Sequence, residues 1–237
     1  FYLRRSGHKV TVFERREHPG GIMRYGIPEY RLPVAVVDEE VARLEEMGVE
    51  FRTNVALGVD ITLEDLEAAY AAVFISTGAG KVRQTDIKGE SLLEPGQPLL
   101  EAAKRDIVSL PGDKCAVIGG GNTAMDVARV LRRMGADVTV LYRRTADEMP
   151  AIEEEYERAA EDGVNVEWLV LPTAVEKLTG ELVVTVEHMR LWEPVSSGRC
   201  RPEPTGVTRE MLFNSIFAAI GETADVAPFP ERLRDSQ

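Results

Sequence analysis

The sequence predicts an α/β protein built on a mostly parallel sheet, and three observations carry that reading. Short apolar strands alternate with amphipathic helical stretches along the 237 residues, the order expected when helices cover a sheet. Lys114 to Ile118 (KCAVI) and Asp137 to Tyr142 (DVTVLY) read as buried strands. Between them, three glycines lead straight into a helical stretch, Asn122 to Met134, whose Ala124, Val127, Ala128, Leu131 and Met134 share one face.

The remaining elements follow in order. Phe1 to His8 reads as the end of a helix that stops at Gly7, and Lys9 to Glu14 (KVTVFE) alternates as a strand. Since a domain rarely opens inside a helix that feeds a strand, a further element is expected ahead of residue 1. Pro33 to Gly48 places Val34, Val37, Val41, Leu44 and Met47 on one face, with acids opposite. Val49 to Thr53 follows as a strand, and Thr62 with Asp65 has the spacing of a helix cap. Ala72 to Ser76 (AVFIS) predicts a buried strand running into Thr77-Gly78-Ala79-Gly80. Residues 81–113 read as a linker holding one helix near Leu99–Ser109. An acidic helix over Ala151–Asp162 precedes strands near Val164–Leu171, Ala174–Leu178 and Leu182–Leu191, and Ser215 to Ile220 (SIFAAI) closes the series.

Composition narrows the function. Forty acidic against 28 basic residues give a formal charge of −12, which argues against nucleic acid or an anionic membrane as the main partner. No apolar run approaches the roughly eighteen residues of a membrane span. Cys115 and Cys200 form no CxxC pair, so neither a zinc site nor an iron–sulfur cluster is expected within the chain. So few cysteines fit a reducing cytoplasm.

The glycine segment carries chemistry. Gly119, Gly121 and Ala124 match G-x-G-x-x-A at the mouth of a helix directly after a strand. Gly119 permits the tight turn, Gly121 lets backbone approach a pyrophosphate, and Ala124 keeps helix and strand close. Helix N–H groups and the positive end of the dipole attract the anion, with Gly120 in the loop and Asn122 and Thr123 able to add side-chain hydrogen bonds. An NAD site usually places a carboxylate about 20 residues further on, at the next strand end. Here that strand ends Leu141-Tyr142-Arg143-Arg144. Guanidinium forks suit a 2′-phosphate, so Arg143 and Arg144 point to NADP(H), and Glu148-Met149-Pro150 beyond them is a candidate edge of the adenine pocket.

Val10 to Glu14 is the second strand of a like unit, and Glu14 stands where a carboxylate holds an adenosine ribose. Its glycine loop is expected about 20 residues earlier, ahead of residue 1. His18-Pro19-Gly20-Gly21-Ile22-Met23-Arg24-Tyr25-Gly26-Ile27-Pro28-Glu29-Tyr30-Arg31-Leu32-Pro33 comes next. With VTVFE before it and GGGNTAMDVARVLRRMGADVTVLYRR over residues 119–144, the chain resembles the glutamate synthase small-subunit-like NADPH/FAD oxidoreductases from residue 1 to about 225.

That resemblance implies a Rossmann-like NADP(H)-binding domain inserted into a partial FAD-binding domain, as in flavoproteins with two dinucleotide-binding domains. The expected boundaries are 1–100 for the FAD part, 101–220 for the NADP(H) domain and 221–237 for the return. It implies FAD in the intact protein, with hydride passing from NADPH to FAD and electrons leaving to an iron–sulfur protein or large catalytic subunit. By position, Glu14 binds the FAD ribose, Gly20, Gly21 and Arg24 lie along the flavin, and Thr77 and Gly78 form the interdomain turn. Ala219, Ile220 and Gly221 then line the nicotinamide side. The family's first FAD phosphate loop, its closing Gly-Asp segment and its cysteine-rich cluster region have no counterpart in this sequence. A rival therefore stands beside the enzyme: an NADP(H)-binding module or interaction subunit that has lost its flavin. No catalytic residue is assigned. His8, His18 and His188 are scattered, and Glu153, Glu154, Glu155 and Glu157 point different ways around a helix, as a solvated face does.

Overall fold

The structure, a computed structural model, describes residues 1–107, 109–194 and 200–234. The chain forms two compact units, one from residues 1–81 with 222–237 and the other from 82–221.

In the first unit Tyr2–Arg5 (α1) ends at Gly7, and Val10–Glu14 (β1) runs parallel to Val49–Thr53 (β2) with Val10 opposite Val49 and Glu14 opposite Thr53. Between them lie the short helix Gly21–Tyr25 (α2) and the helix Val34–Glu46 (α3), which turns its Val37 into the interior. The Thr62 cap forms as its spacing predicts. Thr62 Oγ1 accepts from Asp65 N at 3.1 Å, and Asp65 Oδ2 accepts from Thr62 N at 3.1 Å, opening Leu63–Ala69 (α4). Ala72 to Ser76 departs from expectation. It forms no strand, and Phe74 is 87% exposed. A strand is fixed by pairing, and among the described residues no neighbour pairs with this apolar run. Ala79–Val82 (β3) follows.

The second unit begins at Val82, so residues 82–100, which the sequence reading gives to the first domain, belong here. The reason is a two-residue edge strand, Glu94–Pro95 (β4), and the helix Gly96–Lys104 (α5). This helix starts earlier than the expected Leu99 and ends before Ser109, with Val108 outside the described residues. Next come Lys114–Ile118 (β5), Asn122–Arg133 (α6), Asp137–Tyr142 (β6), Glu153–Glu161 (α7) and Asn165–Trp168 (β7). Val170–Leu178 (β8), Glu181–Pro194 (β9), Cys200–Phe213 (β10) and Ser215–Ala218 (β11) complete it. The main sheet has the order β4-β11-β5-β6-β7 and is parallel throughout. A second, antiparallel sheet has the order β10-β9-β8.

Alternation along the main strands builds two cores. Cys115, Val117, Val138, Val140 and Phe217 pack with α5, α6 and α7 on one face. Ala116, Ile118, Leu141 and Ile216 pack with Val175, Val184 and Val186 of the antiparallel sheet on the other. Strands covered on both sides read as continuous apolar runs, which is why β5 and β6 were legible. Helices α6 and α7 are tied by the nearly buried Arg129, whose Nε lies 2.9 Å from Asp162 Oδ2 and Nη1 3.2 Å from Glu155 Oε2.

The chain returns to the first unit through Glu222–Ala224 (β12), which pairs with β3, and Glu231–Arg234 (α8), where Arg232 contacts Glu67 at 2.6 Å. Of the return segment 221–237, residues 235–237 lie outside the described residues.

Candidate dinucleotide-binding site

The chain leaves β5 at Ile118 and turns over Gly119-Gly120-Gly121 into the N-terminus of the twelve-residue α6. Each glycine answers a different constraint. A Cβ on Gly119, which sits at φ +141°, would lie 2.3 Å from the Ala219 carbonyl oxygen. At Gly120 it would meet the Tyr142 ring at 2.4 Å. At Gly121 it would meet nothing within 4 Å. Gly119 and Gly120 are therefore set by the protein's own packing, whereas Gly121 faces open space at the head of the helix. That is the place where an oxyanion would be met by unpaired N–H groups.

Ala124, fully buried, stands 3.4 Å from the Gly119 Cβ position. Thr123 is exposed in the first turn. The Asn122 carboxamide has a structural duty: its Oδ1 accepts from Ile152 N at 2.9 Å, while Ala151 N donates to Gly120 O at 3.0 Å. These bonds fasten the segment after β6 to the glycine loop. The Tyr142 hydroxyl adds a third tie, donating to Glu148 O at 2.8 Å.

The two arginines at the end of β6 differ. Arg143 is exposed. Arg144 has a side chain only 16% exposed, its Nε donates to Cys200 O at 3.1 Å, and Glu148 Oε2 lies 3.8 Å away. Both Glu148 oxygens accept from Cys200 N, at 3.0 and 3.1 Å. A hydrogen bond to Glu148 raises the Cys200 thiol above its ordinary pKa, with desolvation and the carboxylate's charge adding to it. Sequence reasoning placed Glu148 only at the edge of the adenine pocket and gave Cys200 no part in the site. A cysteine 52 positions from its carboxylate partner carries no spacing signal.

At the end of β11, Ala219 N donates to Ile118 O at 2.8 Å, Ile220 packs on the second core, and Gly221 O accepts from Arg83 N at 3.3 Å. The segment Ala219–Gly221 thus runs alongside the glycine loop through the Ala219 carbonyl.

In the first unit, Glu14 closes β1 with its Oε1 accepting from Arg16 N at 2.9 Å. Gly20 is closely packed, since a Cβ there would lie 2.7 Å from Val37 Cγ1, and Gly21 borders open space. Arg24 has a side chain 12% exposed and pairs with Asp38. Thr77 and Gly78 are exposed ahead of β3. The sequence-predicted residues therefore fall in two groups, one in each unit.

Among the described residues no group of His, Cys, Asp or Glu could hold a metal ion, and no helix is long and apolar enough to cross a membrane.

Comparison with known proteins finds relatives over nearly the whole chain. The chain is 38% identical to the NADP(+)-dependent formate dehydrogenase subunit beta of Moorella thermoacetica, over 98% of its own length and 34% of that protein's. It is 36% identical to the glutamate synthase [NADPH] small chain of Halomonas elongata, over 98% of this chain and 52% of that one. The chain therefore spans between a third and about half of these curated relatives. Among solved structures, Mycobacterium tuberculosis FprA in complex with NADPH superposes with a TM-score of 0.78 over 90% of this chain and 64% of that one, at 19% identity, a likeness of fold. The pyridine nucleotide-disulphide oxidoreductase family matches residues 1–230, and the chain belongs to that family.

Proposed function

We propose that the protein is an NADPH-dependent flavoprotein oxidoreductase subunit of the glutamate synthase small-chain type. It moves hydride from NADPH to FAD and electrons onward to iron–sulfur centres on a partner, an iron–sulfur protein or large catalytic subunit, in the cytoplasm. The observation that carries the reading is the contrast within the glycine loop. Gly119 and Gly120 are closed by the Ala219 carbonyl and the Tyr142 ring, while Gly121 alone opens to space at a helix head, one strand away from Arg143 and Arg144. The names of the two relatives, a subunit beta and a small chain, support a partner.

The chain's contribution is position and charge. Gly121, the α6 N-terminus and Thr123 hold the pyrophosphate. Asn122 keeps the 151–152 backbone against the loop. Arg143 and Arg144 take the 2′-phosphate, and Ala219, Ile220 and Gly221 border the nicotinamide. In the first unit, Glu14 is placed at a strand end to accept from ribose hydroxyls of FAD. The open side of Gly21, with Gly20, Arg24, Thr77 and Gly78, supplies backbone along the flavin. FAD, when bound, provides the hydride acceptor at N5, so no acid or base is needed from the chain. That accords with the scattered histidines.

The test is calorimetric titration of the protein with NADPH and NADH after recording its visible spectrum. Charge-assisted bonds from guanidinium to phosphate are worth about 1.5–3 kcal/mol each, so NADPH should bind roughly 100-fold more tightly than NADH. Arg143→Ala with Arg144→Ala should remove most of that difference and leave NADH unchanged. Equal losses for both nucleotides would sink the assignment. Flavin absorbance on purification supports the enzyme, and its lack favours the flavin-free binding module.

A further inference from the structure

We infer that Glu148 is a positioning residue for nucleotide selectivity: it holds the Cys200 main chain, and through it fixes Arg144 as a fork for the 2′-phosphate. The inference rests on the NADP(H) reading of the second unit and adds a residue to it.

Arg144 is mostly buried, yet of its guanidinium nitrogens only Nε makes a hydrogen bond among the described residues, to Cys200 O at 3.1 Å. A guanidinium carries five N–H donors. One whose terminal nitrogens find no acceptor among the described residues is suited to an external anion. Cys200 is held from its other side by Glu148, whose two carboxylate oxygens both accept from Cys200 N, at 3.0 and 3.1 Å. Glu148 is in turn anchored by its own backbone, where Tyr142 donates to its carbonyl at 2.8 Å. The Tyr142 ring lies against Gly120 of the phosphate loop.

The chain of contacts is continuous: glycine loop, Tyr142, Glu148, Cys200, Arg144. It links the site expected for the pyrophosphate to the site expected for the 2′-phosphate through a single carboxylate side chain. The Glu148 carboxylate makes its nearest approach to Arg144 at Nε, 3.8 Å away, so it does not cap the terminal nitrogens. An arginine already held at Nε need not be ordered when the phosphate arrives, and preorganisation of that kind strengthens binding. NADH has no 2′-phosphate, so it gains nothing from the clamp.

The experiment measures NADPH and NADH affinity of the full chain by calorimetry in the parent, in Glu148→Ala and in Glu148→Gln. The amide oxygen of glutamine can still accept from Cys200 N. Glu148→Gln should therefore keep the NADPH-to-NADH selectivity to within about threefold, whereas Glu148→Ala should lose roughly tenfold, all of it from NADPH. Glu148→Asp draws the carboxylate back from Cys200 N while keeping its charge. It should lose selectivity several-fold, which keeps the test decisive if Glu148→Ala does not fold. Unchanged selectivity in both shortened variants overturns the inference, as does an equal fall for both nucleotides, or tighter NADPH binding once the negative charge is gone. Loss of selectivity in Arg143→Ala with Arg144→Ala, alongside no change in Glu148→Ala, overturns this inference alone. No change in either overturns the NADP(H) reading itself.

Discussion

Replacing Gly121 and Gly119 by alanine should have different effects, although only Gly120 separates them in the loop. At Gly121 the backbone is extended, φ −91° and ψ 175°, and a methyl group would touch nothing within 4 Å. Alanine is a poorer helix N-cap than glycine, but it also restricts the unfolded chain, so stability should change by no more than about 1 kcal/mol. Nucleotide binding should suffer, since the methyl would stand where a pyrophosphate meets the helix head. Loss of one charge-assisted hydrogen bond, about 1.5–3 kcal/mol, predicts roughly 10- to 100-fold weaker binding of both NADPH and NADH. At Gly119 the methyl would meet the Ala219 carbonyl oxygen at 2.3 Å and the backbone holds φ +141°. Left-handed strain of about 1–2 kcal/mol and overpacking of about 1–3 kcal/mol together predict a loss near 3 kcal/mol. Urea unfolding gives the stabilities and calorimetry the affinities. Refuting results are a Gly121→Ala variant that unfolds as readily as Gly119→Ala, or one that binds NADPH as the parent does.

Two further outcomes concern the second unit. Arg129→Ala leaves Glu155 and Asp162 without their nearly buried cation and should cost about 2–4 kcal/mol in urea unfolding at pH 7. Desolvation works upward on the Asp162 carboxyl, but hydrogen bonds and charge from Arg129 and Arg133 outweigh it and hold the group below its ordinary pKa. A carboxylate depressed in the folded state stabilises above its unfolded pKa, about 3.9, and that stability is lost as pH falls through the lower folded value. The difference between parent and variant should therefore shrink in acid, and a difference independent of pH between 7 and 3 would contradict it. Burial, with the nearby Glu94 and Asp113 charges adding to it, pushes the Cys115 thiol to about 11. It should resist alkylation at pH 8 until the protein unfolds, and rapid native labelling of Cys115 followed by mass spectrometry would refute this.

Much of the second unit was legible because its strands obey simple patterns. Buried strands β5 and β6 are apolar without interruption, the glycine run marks the turn between β5 and α6, and the arginines mark the end of β6. The cap at Thr62 was readable because both its hydrogen bonds are local. What escaped was non-local. Strand β10 contains Pro202, Pro204 and Gly206 and is exposed along most of its length, so no alternation announces it. Pairing with β9 alone makes it a strand, with its register shifting around those residues. The two-residue β4 is a strand only because β11 lies beside it, and this is what brings residues 82–100 into the second unit. The opposite error at Ala72–Ser76 has the same origin, since a strand-like composition without a paired neighbour leaves Phe74 in solvent. In the site, the loop and the arginine pair came from spacing, while the Glu148–Cys200–Arg144 contacts depend on the first residue of β10 lying beside the segment after β6.

The Gly119–Ala219 approach has a mechanical consequence. The carbonyl that forbids a side chain at Gly119 belongs to Ala219, the residue just after β11 and two before Gly221. The glycine loop and the stretch by which the chain leaves the second unit therefore meet backbone to backbone, with no side chain between them. Neither backbone can move toward the other without a clash, so a displacement of the loop toward Ala219 would have to move the exit stretch with it.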